Sequence, residues 1–489
     1  MNSSHRRRCA GLLFALAAIC SCGTLTGAKP PTVIVVDTAA NAVWVRFLFG
    51  AGSAYDPPGK EGLAYLTAST LMGNPSSLPS GEIRITVDRD VAIIDGHCPA
   101  YAWPAFSQAL VSILTRPVFD SLDIQRLIEV QLEALDSLRA DDLRLAQAAL
   151  QYNLYRDHPY GHPPEGFEHT IRILTMADTR EFWRQHYTNG NYLLGMAGSV
   201  PPSAADEIHA DLRAALNGGK PRSPALPVPS PVGLSVCVIE KPGCDRSTVL
   251  VGRPVRAVRG DSAFLPLELT VMHLAGQEAS KGGLDQLLRL DRGVVSEVFG
   301  TIEHSTLSLP DSPLDEFLPR RQEYFMTGTR TQPVNTAFVL NIIMRELDDL
   351  SQHGVGQIDL DGARAYAIRH QGWTARPAYE QMRTRLRDLW LGVEGSSERF
   401  GDDIARVTGA EVCRAVADPL NVRTLTVVAI VPDGQAFATQ LLGGQITYEY
   451  PPDINRRQIH ADDQLFFSYR PPWELQRIRI VKAAEMFRH

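Results

Sequence analysis

Apolar positions along the chain switch repeatedly between a two-residue and a three-to-four-residue period, and the switches predict its elements. Thr32 to Val36 and Val43 to Phe49 alternate as two strands about a turn at Asn41. The stretch Gly59 to Asn74, GKEGLAYLTASTLMGN, predicts an amphipathic helix with Leu63, Leu66, Thr70 and Leu71 on one side, entered through the turn Pro57-Pro58-Gly59. Ile83 to Asp88 and Val91 to Asp95 predict a strand pair broken at Arg89-Asp90. Helical spacing follows over Ala102 to Thr115, Leu122 to Arg139 and Asp142 to Tyr155. A helix near Ala177 to His186, a strand from Tyr192 to Ala197 and a helix ending at Leu216 complete this half.

Gly218 to Val232 reads GGKPRSPALPVPSPV, with five prolines in fifteen residues, so it predicts a stiff extended connector and a domain boundary. Beyond it the plan repeats. Ser235 to Glu240 and Thr248 to Val251 are strand-like, Phe264 to Leu274 is an apolar helix, and helical spacing runs from Val334 through Leu391. Thr175 starts a helix that ends before Asn191 and a strand stopped by Pro201. Thr408 starts one that ends before Asn421 and a strand stopped by Pro432. The offset of roughly 230 residues predicts a duplicated α+β module. The expected segments are a leader (1–28), a first domain (29–217), the linker (218–232), a second domain (233–455) and a tail (456–489).

With 489 residues and 44% hydrophobic content, the chain can bury the cores of at least two domains. Its leader carries Arg6-Arg7-Arg8, an apolar run from Leu12 to Ile19 and small residues at Thr26-Gly27-Ala28, the pattern of a secretory signal peptide cleaved after Ala28. Export to the periplasm or cell envelope is expected. Ile19-Cys20-Ser21-Cys22 loosely resembles a bacterial lipoprotein box with Cys22 as the lipidated residue, which leaves a lipid anchor as the one expected form of membrane attachment. Removing the three arginines of the leader takes the net charge from −7 to about −10, which argues against a nucleic-acid partner. Beyond the leader, Cys98, Cys237, Cys244 and Cys413 show no C-x-x-C spacing. Cys237 and Cys244 flank the turn Glu240 to Gly243 and suit a disulfide in an oxidising compartment, the alternative being that all four are buried free thiols.

The helix from Gly62 resembles that of the insulinase/pitrilysin family of zinc peptidases, the inverzincins, which reads G-L-A-H-F-L-E-H-M. Two histidines four apart share a helical face and bind zinc there, and the glutamate between them is the general base. Here Tyr65 and Ser69 stand for the histidines and Ala68 for the base, within a degenerate zinc helix of residues 62–73. Leu154 to Gly161, LYRDHPYG, resembles the L-Y-x-x-H-P-Y-G segment of the family. Phe182 to Tyr187 and Leu288 to Gly293 resemble its F-x-x-x-Y and L-R-x-x-R-G elements, and the tail resembles the ending of bacterial members. The resemblance implies two tandem homologous α+β domains, like those of the mitochondrial processing peptidase, closing as a clamshell on an unfolded peptide that pairs with an edge strand. The matching edge is expected near Val91 to Pro99, where Ile94 to Pro99 lack the G-x-x-N-A element of active members.

The third zinc ligand of the family is a glutamate about 70 to 80 residues beyond the histidines. Glu129 and Glu133 lie near that place, Glu133 at 64 residues past Ser69. Without two imidazoles neither carboxylate holds zinc well, so zinc is expected to be lost. His158 and His162 are separated by Pro159 and Gly161, so they share no helical face and read as loop histidines. Non-catalytic subunits of bacterial two-chain members use an arginine of the L-R-x-x-R-G-x-x-Y element to hold substrate. Arg289 matches it, Arg292 has similar standing, and Ser296 replaces the tyrosine; an ordinary surface arginine is the alternative for both. No G-x-S-x-G, S-x-x-K or P-loop motif is present. The resemblance thus implies a catalytically inactive homologue serving as the substrate-binding subunit beside an active one. A solitary peptide-binding or scaffold pseudoenzyme, and a zinc endopeptidase with an unorthodox ligand set, are the alternatives.

Overall fold

The computed structural model describes residues 29–489 except 74–79, 222, 225, 230–232, 277–281, 303–322, 375–376, 444 and 452–455. The leader, with Cys22, lies outside the described residues. The first half contributes strands β1 (Thr32–Val36), β2 (Ala42–Phe49), β3 (Glu82–Val87), β4 (Ala92–Pro99) and β5 (Tyr192–Gly198). Its helices are α1 (Leu63–Met72), α2 (Trp103–Thr115), α3 (Ser121–Ala140), α4 (Asp142–Leu154), α5 (Glu168–Ile171), α6 (Met176–His186) and α7 (Ala204–Ala215). The second half contributes β6 (Ser235–Glu240), β7 (Ser247–Val255), β8 (Val295–Thr301), β9 (Glu323–Thr331), β10 (Thr426–Val431) and β11 (Ile478–Lys482). Its helices are α8 (Phe264–Ala275), α9 (Thr336–His353), α10 (Gln357–Thr374), α11 (Ala378–Leu391), α12 (Ser396–Arg406), α13 (Gly409–Val416), α14 (Gly434–Leu441) and α15 (Arg456–Ser468).

The first sheet runs β1-β5-β2-β4-β3 and the second runs β6-β10-β7-β9-β8 with β11 added beyond β6. In both, the first pair is parallel and the rest antiparallel, β11 being parallel to β6. The duplication therefore holds at the level of topology. Its two closing helices begin alike: Thr175 and Thr408 each cap the backbone amide of the third helical residue, and Asp178 and Glu411 bond back to the amides of Thr175 and Thr408.

Both sheets are buried on two faces, which explains why β5 and β10 are apolar without alternation. On β2, Val43, Val45, Phe47 and Phe49 face the helices of their own half, while Leu48 joins a separate cluster with Ile93, Leu193, Met382, Leu386 and Trp390. The last three belong to α11 of the second half. Reciprocally, Leu145, Ala146, Ala149 and Leu150 of α4 pack on Leu250, Val428 and Ile430 of the second sheet. Each half thus lends one helix to the sheet of the other. Gly195 on β5 admits α11, since a Cβ there would run into Met382. At about 1.5–3 kcal/mol per buried large apolar side chain, each exchanged helix ties the halves by several kcal/mol.

Three expectations change. The strand from Val91 to Pro99 is internal, because β4 pairs with β2 on one side and β3 on the other; the free edge is β3. The helical run from Val334 divides into α9, α10 and α11, with the first break at Gly354 and α11 entered from Pro377. The tail is part of the second half: β11 extends its sheet, and Met486 and Phe487 pack beside α4 while the amide of Glu168 donates to Phe487 O at 2.9 Å. Among the described residues, no helix is long and apolar enough to cross a membrane.

Candidate functional site: the helix without its ligands

The entry to α1 is fixed by Asp56, whose carboxylate accepts from the amides of Gly62 and Ala64, both at 2.7 Å. Burial pushes the Asp56 carboxyl well above the usual range, against the pull of those amides. Gly62 has a φ of +101°, and a Cβ there would strike Glu165 O and the Gln131 amide, so the helix start must be glycine. Gln131 Nε2 in turn donates to Gly62 O at 2.9 Å and to Glu165 O at 2.7 Å. Asp56→Ala would leave two amides without their acceptor and is expected to cost about 2–3 kcal/mol, measured by chemical denaturation. Asp56→Asn keeps one acceptor oxygen and is expected to cost less.

The helix is buried nearly all round, with Leu63, Ala64, Leu66, Thr67, Ala68, Thr70 and Leu71 enclosed, rather than amphipathic. Tyr65 and Ser69 are its half-buried face, one turn apart as the i, i+4 geometry requires. Ser69 Oγ donates to Tyr65 O at 3.0 Å, and Thr67 and Thr70 bond their own i−4 carbonyls in the same way. Ala68, in the base position, is buried in the core.

Glu129 and Glu133 are exposed on the solvent side of α3 and do not reach this face. The carboxylate that does is Glu165, from the loop between α4 and α5, ion-paired with Arg144 at 3.3 Å. Both act on the Tyr65 hydroxyl: burial raises its pKa first, Glu165 raises it further and Arg144 lowers it. Sequence reasoning passed over Arg144, although it lies 75 residues beyond Ser69, inside the interval expected for the third ligand. Glu165 carried no local signal. Among the described residues no three histidine, cysteine or acidic side chains lie close enough together to hold a metal ion. Two neutral hydroxyls beside a guanidinium do not fit zinc, which wants imidazole, thiolate or carboxylate donors.

The LYRDHPYG segment joins the halves. Arg89 lies over the rings of Tyr155, Tyr160 and Tyr324, Tyr160 Oη donates to Asp90, and Tyr155 Oη donates to Glu323 O at 2.9 Å. His158 Nδ1 accepts from the amide of Tyr160 at 2.9 Å, and His162 is buried against Pro163 O, both held neutral by burial. These histidines and His186 line a cleft of about 1220 Å³ between the α1 entry loop and the start of the linker. Arg289, on a π-helical turn (Asp285–Leu290), is bidentate to Asp285, both bonds 2.7 Å. Arg292 departs from the expected substrate contact. Its side chain is 1% exposed and pairs with Asp463 at 3.0 Å, inside the second half. Cys98, Cys237, Cys244 and Cys413 are free thiols.

A model of the M16 peptidase inactive domain matches residues 174–366, from the end of the first half into the second. The same two-sheet frame recurs in solved structures. A peptidase M16 inactive domain from Pseudomonas fluorescens superposes with a TM-score of 0.70 at 19% identity, covering 83% of this chain and 96% of that one. In the matched stretch and in its fold the chain is similar to the insulinase (M16) peptidases. A protease from Helicobacter pylori gives a TM-score of 0.69 at 15% identity, over 82% of this chain and 96% of that one. The first half of the periplasmic protease PqqL from Escherichia coli gives 0.66 at 13%, over 90% and 94%. A Rickettsia bellii (strain RML369-C) protein described as an uncharacterized zinc protease is 23% identical over 175 residues, 33% of this chain. That match spans 42% of the Rickettsia protein, so its activity does not transfer with it. The matched region of the inactive-domain model does not include α1. The departure from the catalytic pattern of the insulinase family therefore rests on Tyr65, Ala68 and Ser69 themselves.

Proposed function

We propose that the protein is a non-catalytic insulinase-type homologue that holds unfolded peptide for a separately encoded, zinc-bearing homologue in the cell envelope. The observation that carries the reading is that the zinc helix survives in its frame while every catalytic position on it is replaced. A two-domain chain is half of a larger chamber, so a half without zinc still supplies wall, the β3 edge and a partly exposed Arg289. The leader supports export, and Cys22 a lipid anchor.

The test is zinc content and cleavage of an unstructured peptide by the mature chain, alone and mixed with an H-x-x-E-H homologue from the same source. The expected result is no zinc and no cleavage alone, with cleavage by the homologue rising on mixing. Zinc near one per chain with chelator-sensitive cleavage by the chain alone would overturn the reading. Peptide binding with no effect on any homologue would replace it with a solitary binding module.

A further inference from the structure

The half-buried face of α1 is not simply emptied of ligands. Glu165 is 6% exposed, and only one of its carboxylate oxygens is used, by Arg144; Oε2 is buried without a hydrogen-bond partner. Burial pushes the Glu165 carboxyl above its usual range while its own amide and Arg144 pull it back, so the ionised form depends on that cation against its desolvation. In a metal centre the ion serves that need. Here Arg144 is anchored near the start of α4, the helix lent to the second sheet, so its backbone is fixed by the exchange that locks the halves. Glu165 is fixed from the other side, since Gln131 bonds its carbonyl and Gly166 packs on the backbone of Glu61 and Gly62. Gln131 also bonds Gly62 O, which sets Glu165 against the entry to α1, one turn before Tyr65.

We infer that Arg144 is the resident cation of the degenerate centre: paired with Glu165 beside Tyr65, it takes the charge-balancing place of a metal and bars divalent ions from this face even when the histidines are restored. The inference concerns α1 and its neighbours alone and stands whether or not the chain has a catalytic partner. A guanidinium has a delocalised, permanent charge that deprotonation does not remove, so a partly exposed Arg144 suits a fixed partner for the buried Glu165 better than a lysine would.

Two chains decide it: Tyr65→His/Ser69→His with Arg144 kept, and the same pair with Arg144→Gln. Zinc affinity is read by competition with a chromophoric chelator, and folding by circular dichroism. Zinc is expected to bind at least about a hundredfold more tightly once the guanidinium is gone, since a like charge on the same face opposes the ion directly. Equal affinity in the two folded chains, or none in either, overturns the inference. If the histidine pair does not fold, a double-mutant cycle in the otherwise unaltered chain decides instead. Arg144→Met alone is expected to lower the melting temperature, and Glu165→Gln in the same chain to restore part of it. Additive losses overturn the pairing on which the inference rests.

Discussion

Three buried histidines are each expected to add close to one proton to the uptake on unfolding between about pH 6.5 and 4, and so to make stability fall in acid. His162 shifts in the same direction, and the raised carboxyl of Asp56 acts the opposite way. His158, His186 and His209 are buried, and desolvation pushes each down to about 4. His158 gives a ring nitrogen to the Tyr160 amide and has the Arg89 cation nearby. His186 stacks on Phe182 at 4.2 Å with Tyr55 edge-on. His209 bridges Tyr192 Oη and Thr32 Oγ1, both at 2.8 Å, tying α7 to β1 and β5.

The sign follows from which state protonates first. An unfolded histidine takes its proton near pH 6.5, while the folded one resists until about 4. In that window the unfolded chain binds more protons, so stability is full above pH 6.5 and is lost as pH falls. Each group accounts for up to about 3 kcal/mol, and three together rival the whole stability of an ordinary domain, about 5–15 kcal/mol. Urea denaturation at several pH values is expected to show each of the three contributing up to about 1.4 kcal/mol per pH unit to the slope of stability against pH. His209→Gln should lower that slope by about one proton. A slope unchanged by replacing each of the three in turn would refute the assignment.

Arg292→Met is expected to cost about 3–5 kcal/mol, because it strands Asp463, which is fully buried. Arg292 Nε meets Asp463 Oδ1 at 3.0 Å, Nη1 donates to Leu287 O at 2.8 Å, and the guanidinium lies 4.9 Å from the centroid of Phe466. Tyr450 Oη donates to the other Asp463 oxygen at 2.6 Å. The arginine therefore pins α15 to the π-helical turn that bears Arg289. Removing both charges with Arg292→Met/Asp463→Leu should recover much of the loss, since the penalty is that of one unpaired buried charge. Denaturation midpoints of the single and double variants measure this. A single variant within about 1 kcal/mol of the parent would show that the pair carries little of the stability. The prediction also separates the two arginines of the L-R-x-x-R-G element. Arg292 is an internal strut, whereas Arg289 keeps a quarter of its side chain exposed.

Much of this architecture was legible in the chain itself. Period-two and helical patterns placed most elements of the first half within a residue or two, apart from the end of β4, the start of α1 and the short α5, and Thr175 and Thr408 marked the repeat through capping boxes. Substitution of the catalytic positions was also plain, since Tyr65, Ala68 and Ser69 are identities and need no coordinates. Three outcomes belonged to the tertiary structure. Burial periodicity records that a face is covered but not what covers it, so the exchange of α4 and α11 between halves was invisible. Pairing order is set by contacts distant in sequence, so β3 rather than β4 became the free edge and β11 joined a strand more than two hundred residues upstream. A buried charge is recognisable only with its partner. Nothing local in the sequence marks Glu165 or Asp463, and only folding buries these two carboxylates and sets Arg144 and Arg292 beside them.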